Sequence, residues 1–107
     1  MPIIPPNEID LLHNNICQAV NDPKRIRILY ALSDGPTNVT TLSTLLEMPQ
    51  PTVSRHLGIL RQRRIVEAER DGANVVYSLA NEKVVQILDL MRQLMRDVLD
   101  AQSEMLD

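Results

Sequence analysis

The chain of 107 residues is poor in aromatic side chains: it has two tyrosines, Tyr30 and Tyr77, and neither phenylalanine nor tryptophan. Its core must therefore be built from leucine, isoleucine, valine and methionine, which favours helices packed on helices. The length is near the commonest domain size, and the apolar and charged fractions are those of an ordinary globular protein. We expect a single domain covering residues 1–107.

Cysteine is almost absent as well. Cys17 is the only one, so an intrachain disulfide is excluded and a reducing compartment is expected. The N-terminal stretch MPIIPPNEID does not have the pattern of a secretion signal, and no run approaches the roughly 18 apolar residues of a membrane span. These observations predict a cytoplasmic protein without a membrane partner.

The features of common enzyme sites are missing from the sequence. It contains no glycine-rich phosphate loop, and no nucleophile stands beside a base with a third orienting group. The two histidines, His13 and His56, lie far apart in the chain. We predict that the protein is not an enzyme and holds no cofactor.

Charge is unevenly distributed along this acidic chain, whose formal net charge is -3. Residues 23–70 carry eight basic side chains and four acidic ones, whereas residues 81–107 carry six acidic and three basic ones. The stretch QPTVSRHLGILRQRR, residues 50–64, has four arginines, one histidine and no carboxylate. A positive face of this kind indicates a polyanionic partner.

The residues before the basic stretch predict an arm and two helices. Residues 1–6, with three prolines, form the arm, and a helical pattern then runs from residue 7 to about residue 21. Asp22 and Pro23 restart the chain as cap and first residue of the second helix. The sequence SDGP at 33–36 ends that helix.

The next pattern predicts a short third helix, capped by Thr40 and ending near Glu47. Its inward-facing residues are expected to be Leu42, Leu45 and Leu46. The basic stretch at 50–64 is the fourth helix, and its buried stripe should consist of Val53, Leu57 and Leu60. The third and fourth helices thus follow one another across a tight connection.

After the fourth helix the hydrophobic period changes from that of a helix to that of a strand. The segments IVEAER (65–70) and VVYSL (75–79) read as strands, and DGAN (71–74) between them reads as a turn. We therefore predict a β-hairpin. The whole pattern indicates a mainly α fold with a β-hairpin wing, about five helices and two strands.

The final segment, residues 81–107, predicts a long helix capped by Asn81. Its apolar rows are wider than one small domain can cover, which indicates pairing with a second chain. The residues that we expect in the dimer interface are Ile9, Leu12 and Ile16 of the first helix, together with Leu88, Met91, Met95 and Val98 of the last.

The order of a short helix, a basic helix and a hairpin is that of the winged helix-turn-helix. The sequence QPTVSRHLGILRQRRIV, followed by a hairpin ending in VVYSL, resembles the ArsR/SmtB family of small winged-helix repressors. The segment DPKRIRILYAL is similar to the second helix of that family. The resemblance implies a homodimer, built on the first and last helices, that binds a palindromic operator in double-stranded DNA and is released by an inducer.

The resemblance does not extend to the metal-sensing residues of the family. Asn38, Thr40 and Ser43 replace the cysteines of arsenic sensors, and at the zinc site Asn81, Lys83 and Leu94 leave Asp97 as the single donor. No family metal site is therefore expected, and the inducer is not identified. His13 and Cys17, four residues apart on one helix, are a remaining soft-ligand pair, but packing at the dimer contact is their favoured role and metal binding is the alternative.

The first two turns of a helix in the major groove bring side chains to base edges, while cations further along are placed for phosphates. The predicted DNA-contacting residues are Gln50, Thr52, Ser54, Arg55, His56, Arg61, Arg70 and Asn74. His56 lies at the edge of the buried stripe, so packing is its alternative role. Because Arg70 is the only cation of the wing, a module that binds a protein partner instead of an operator is the alternative function.

Overall fold

A computed structural model describes residues 3–106 of the protein, with side chains described through residue 103. The first two residues of the predicted arm and the last residue of the predicted final helix lie outside this range. The described part contains five α-helices and one hairpin, as predicted. The elements are α1 (Pro6–Leu12), a π segment (His13–Cys17), α2 (Pro23–Leu32), α3 (Val39–Leu46), α4 (Gln50–Gln62), β1 (Val66–Asp71), β2 (Asn74–Leu79) and α5 (Lys83–Leu106).

The predicted first helix is two elements, since α1 passes into the π segment at His13. The side-chain amide of Asn15 donates to the carbonyl oxygen of Leu11 at 2.8 Å. That carbonyl, four residues back, is the acceptor that α-helical geometry assigns to the backbone N–H of Asn15, so the side chain competes for it. The helix begins at Pro6, inside the predicted arm, because proline suits the first helical position.

The caps of α2 and α3 fix where these helices start. Asp22 caps α2 as predicted, and its Oδ1 accepts from the backbone N–H of Lys24 at 2.8 Å. The cap of α3 is Asn38, not Thr40 as predicted: its Oδ1 accepts from the N–H of Thr41 at 2.8 Å. Asparagine is the better cap, so the helix begins two residues earlier than predicted.

The buried side of α3 is narrower than predicted. Leu42 is fully buried and Leu46 is partly buried, as expected for residues four apart, but Leu45 is 63% exposed. The reason is that this helix of eight residues packs along a single stripe. Leu45 therefore belongs to the surface.

The tight turn between α3 and α4 depends on Glu47, whose left-handed backbone (φ 54°, ψ 46°) ends α3. Arg27 donates from Nη2 to the carbonyl oxygen of Leu46 at 2.9 Å, which holds this end of α3 against α2. The side chains of Val53, Leu57 and Leu60 are all fully buried, which confirms the predicted stripe of α4. The opposite face of α4 is thereby directed outward.

The end of α4 is a left-handed turn at Arg64 (φ 60°). The N–H of Ile65 donates to the carbonyl of Leu60 at 2.9 Å, and the N–H of Arg64 donates to that of Arg61 at 3.0 Å. This pair of bonds is the Schellman motif, in which glycine is the usual residue at the left-handed position. The turn directs the chain from the fourth helix into the wing.

The wing is the predicted antiparallel hairpin, but each strand extends one residue further into the turn than expected. Asp71 pairs with Asn74 as the last rung, so the loop is reduced to Gly72 (φ 64°) and Ala73. One further contact was not predicted. The backbone of Thr37 bridges to Tyr77 with two hydrogen bonds of 3.0 and 2.7 Å, which attaches β2 to the loop before α3.

The long helix α5 joins the core through its first turns and then projects from it. Asn81 caps it as predicted, accepting from the N–H of Lys83 at 2.9 Å. The hydroxyl of Tyr30 donates to Oδ1 of Asp89 at 2.7 Å and thereby ties α2 to α5.

The radius of gyration is 16.6 Å, against about 13 Å for a compact domain of this length. No helix within residues 3–106 is long and apolar enough to cross a membrane.

Candidate nucleic-acid interface

The outward face of α4 presents polar and cationic side chains. Gln50, Ser54, Arg55 and Arg61 are exposed and Thr52 is half-buried. Pro49 precedes the helix and has no side-chain acceptor, so the free amides of the first turn are not capped by it. Such a helix start attracts phosphate. The predicted base-reading residues other than His56 therefore share an accessible surface.

The wing adds little positive charge to this surface. Arg70 and Asn74 are exposed, as their predicted roles require, and Asn74 stands at the tip of the hairpin. The carboxylates of Glu67, Glu69 and Asp71 on the same strand are also exposed. The cationic surface is consequently concentrated on α4.

His56 is buried, which corrects the prediction that it contacts DNA. Its side chain is 3% exposed and packs on the inner side of α4. Nη1 of Arg25 lies 3.2 Å from its Nδ1. Burial lowers the pKa of His56, and the positive charges of Arg55, Arg25 and Lys24 act in the same direction, against Asp22. A neutral, packed imidazole is what this environment favours.

Arg25 forms a junction among three elements that the sequence did not indicate. Besides His56, its guanidinium donates from Nε to the carbonyl of Ala19 at 2.7 Å and from Nη2 to that of Gln18 at 3.1 Å. Arg63, at the end of α4, donates to the carbonyl of Asn14 in the π segment. Both arginines therefore tie α4, the predicted recognition helix, to the chain segment that follows α1.

These bonds change the interpretation of the basic middle of the chain. Arg25, Arg27 and Arg63 were counted in its positive charge, yet each donates to backbone carbonyls. Composition does not distinguish an internally bonded arginine from a free one, so no signal in the sequence could have separated them. The exposed arginines of α4, Arg55 and Arg61, are the better candidates for an external partner.

The predicted dimer residues are largely exposed, with two exceptions. Ile9, Leu12, Met91, Met95 and Val98 have between 44% and 51% of their surface open. Leu88 is 3% exposed and lies in the core of its own chain, which corrects its assignment to the interface. Ile16 is half-buried against the same core.

A continuous apolar surface runs along α5 beyond the predicted residues. We call it the apolar stripe; its members are Ile87, Leu90, Met91, Leu94, Met95, Val98 and Leu99, with exposures between 46% and 64%. Their spacings of three and four place them on one side of the helix. An exposed surface of this extent is typical of a protein contact.

The soft-ligand pair stands at the two ends of the π segment. His13 and Cys17 are both exposed, and within the described residues no group of three or more His, Cys, Asp or Glu side chains is placed to hold a metal. A zinc site needs three or four ligands, so this pair would require further ligands from elsewhere. Three of the residues that replace the family's metal-sensing residues have structural roles instead. Asn38 and Asn81 cap helices, and the hydroxyl of Ser43 donates to the carbonyl of Met48.

The known proteins that are similar to this chain are transcriptional regulators. Residues 22–68 match the family described as bacterial regulatory protein, arsR family. The HTH-type transcriptional regulator KmtR of Mycobacterium tuberculosis is 39% identical over 67 residues, which are 63% of this chain and 52% of that protein. The transcriptional repressor SdpR of Bacillus subtilis is 34% identical over 73 residues, 68% of this chain and 80% of that protein. The chain thus spans about half the length of the mycobacterial regulator.

Among solved structures, the fold is similar to a homodimeric winged helix-turn-helix DNA-binding domain from Mycobacterium bovis, described as a possible ArsR-family transcriptional regulator. The TM-score is 0.76 at 26% identity, and the match covers 94% of this chain and 95% of the other. The similarity extends well past α4 and the wing, so it includes helices that the family match at 22–68 does not reach.

Proposed function

We propose that this chain, which belongs to the ArsR family of bacterial regulatory proteins, is a homodimeric transcriptional repressor that binds a palindromic operator in double-stranded DNA. The membership confirms the resemblance read from QPTVSRHLGILRQRRIV. An inducer of unidentified chemistry releases the operator. The protein has no catalytic role in this proposal, and it acts in the cytoplasm, where its DNA target is.

The observation that carries the proposal is the exposed face of α4. This face is free of carboxylates along all of residues 50–62, although the chain as a whole is acidic. Gln50, Thr52, Ser54 and Arg55 read base edges from its first two turns. Arg61 contacts the phosphate backbone, and Arg70 and Asn74 contribute weakly because the wing also exposes the carboxylates of Glu67, Glu69 and Asp71.

Dimerisation through the apolar stripe is the reason that we expect a symmetric operator. Two copies joined at α5 and α1 present two α4 helices related by a two-fold axis. For such a pair to enter successive major grooves, the helices must stand about 34 Å apart. The partner of the stripe is therefore a second copy of this chain, and the target is an inverted repeat.

A second function, a winged-helix module that binds a protein, has one observation in its favour. Glu67, Glu69 and Asp71 give the wing an acidic surface, which DNA would repel. In that case α4 would bind an acidic protein surface instead of a groove. The two functions differ in whether duplex DNA is bound at all.

A selection from random duplex DNA distinguishes the operator-binding repressor from the protein-binding module. The purified protein is incubated with a pool of randomised duplexes, the bound fraction is amplified, and the enriched sequence is titrated at several salt concentrations. We expect an inverted repeat whose binding weakens steeply as salt rises, because several phosphates are neutralised. Failure to enrich any sequence, together with binding that does not respond to salt, would favour the protein-contact module.

A further inference from the structure

A cavity of about 610 Å³ opens between the π segment, the end of α4 and the first turns of α5. Most of its wall is apolar and includes Leu12, Ile16, Val20, Ile65, Val84 and Met91. This volume is in the range that holds a small organic molecule. Helical segments with π geometry often occur at functional sites, and one of them forms part of this wall.

The charged residues of the cavity wall are all cations. Arg63, Arg64 and Lys83 line it, and no carboxylate does. Leu12, Ile16 and Met91 of this wall are also predicted dimer residues, but the apolar stripe of a second copy has no negative charge to pair with the cations. A ligand with its own negative charge and an apolar body satisfies both parts of the wall.

Arg63 gives the cavity a specific anchor for that charge. Its guanidinium donates to the neutral carbonyl of Asn14. A carboxylate is a stronger acceptor for a guanidinium than a backbone carbonyl and can bind two of its nitrogens at once. An anionic ligand in the cavity would therefore compete with Asn14 for Arg63.

We propose that this cavity is a binding site for a small amphipathic carboxylate, with its apolar body against Ile16, Val20 and Val84 and its carboxylate paired with Arg63 and Lys83. When this ligand binds, Arg63 no longer donates to the carbonyl of Asn14. The hydrogen bond between the π segment and the end of α4 is then lost. The consequence for DNA rests on the proposed repressor function: the occupied protein binds its operator more weakly.

The single cysteine of the chain reports on the cavity, because Cys17 lies in its wall and is exposed. The rate at which N-ethylmaleimide alkylates Cys17 is measured on the full chain without DNA, with increasing sodium octanoate or octylamine hydrochloride at constant ionic strength. Octanoate should slow the reaction several-fold and to a plateau. Octylamine, with the same tail and the opposite charge, should not.

Three variants locate the charge that binds octanoate. Arg63→Met should weaken protection by octanoate about tenfold or more, as expected for the loss of a charged hydrogen bond. Lys83→Met should weaken it by a smaller factor, and it decides the question if Arg63→Met fails to fold. Arg96→Met, which removes an exposed cation of α5 outside the cavity wall, should leave it unchanged.

Several results would overturn the proposal. Equal protection by octylamine would show that binding in the cavity does not depend on a carboxylate. Alkylation that octanoate does not affect would show that the cavity takes no such ligand, and a Cys17 that is unreactive in the free protein would show that the second copy fills it. Because DNA takes no part in the measurement, each of these results leaves the proposed repressor function standing.

Discussion

Nη1 of Arg25 in α2 lies 3.2 Å from Nδ1 of His56 in the recognition helix. Arginine has no acceptor and stays charged, so Nδ1 must be the acceptor and the neutral imidazole carries its proton on Nε2. That Nε2 is buried without a hydrogen-bond partner among the described residues. The pair therefore holds α4 in place through one tautomer of a histidine that is almost fully buried.

We expect Arg25→Ala to lower the free energy of unfolding by about 1 to 3 kcal/mol, because buried His56 would lose the donor at its Nδ1. The carbonyls of Gln18 and Ala19 would lose their donors as well. Arg25→Lys is the matched control for charge: one ammonium cannot span these acceptors, so it should recover only part of the loss. Urea denaturation at one fixed protein concentration measures both. Full recovery by lysine would mean that charge, and not the geometry of the fork, is what matters.

Stability should fall as the pH is lowered from about 7 to 5, because of His56. Burial lowers the pKa of His56 in the folded state below its ordinary 6.5. Between the two values the unfolded chain binds the proton and the folded chain does not, so acid favours unfolding. The stability is complete above pH 6.5 and is lost as the pH falls towards the folded-state pKa.

His56→Asn is the control for this pH dependence, because the Oδ1 of asparagine can accept from Arg25 but does not titrate. The variant should lose less stability than the wild type between pH 7 and pH 5, as measured by urea denaturation. Asp22 does not interfere: the backbone N–H of Lys24 holds the pKa of its carboxyl below 3.8, so its contribution is lost at lower pH. Equal slopes for both proteins would contradict a titrating His56.

The sequence predicted those parts of the fold that depend on local patterns. The stripe of Val53, Leu57 and Leu60 follows from helical spacing alone, and the caps Asp22 and Asn81 follow from the preference of helix starts for such side chains. The hairpin required only alternation and a turn. These features are set by residues that are close together in the chain.

The features that the sequence did not predict involve partners far apart in the chain or a choice between equivalent residues. Arg25 meets His56 across 31 residues, and no pattern marks either of them for the other. Leu88 and Met91 share one helical repeat, yet Leu88 faces its own core and Met91 faces outward, because the core reaches only the first turns of α5. At the candidate site, the spacing of α4 predicted its exposed face but not the burial of His56 at the edge of that face.

Arg64→Gly should raise the free energy of unfolding by about 1 kcal/mol. Arg64 has φ of 60°, a conformation in which a side chain is strained and glycine is not. Gln62→Gly, two residues earlier in the last turn of α4, should have the opposite sign, since glycine weakens a helix by about 1 kcal/mol. Urea denaturation of the three proteins at equal concentration gives the comparison. Destabilisation by both glycines would contradict strain at Arg64.

Leu94→Glu should convert the dimer into a monomer. Leu94 lies in the apolar stripe and is exposed, and a carboxylate there would be buried against the second copy without a partner. Gln93→Glu is the matched control, because it adds the same charge one residue away, outside the stripe. Sedimentation at micromolar concentration should show twice the chain mass for wild type and control, and the chain mass for Leu94→Glu. A wild type that sediments as a monomer would remove the basis for a palindromic operator.

Arg55→Ala and Arg61→Ala should weaken DNA binding in different ways. Arg55 stands in the second turn of α4, where an arginine can bind two acceptors on a guanine edge, so its loss should cost about 1 to 3 kcal/mol on the selected operator and much less on random DNA. Arg61 lies about 1.7 turns further along α4, where we expect it to contact the phosphates. Its loss should weaken both DNAs alike and reduce the salt dependence by about one counterion.

The measurement that separates the two roles is a titration of each variant against operator and random duplex at two salt concentrations. Arg96→Ala serves as the control, because it removes one exposed cation from α5, outside the proposed DNA contacts. If Arg55→Ala left the ratio of operator to random affinity unchanged, Arg55 would not read bases, since a residue that contacts only phosphate changes both affinities by the same factor. Specificity would then have to come from Gln50, Thr52 and Ser54, whose neutral side chains would lower the operator affinity on substitution without changing its salt dependence.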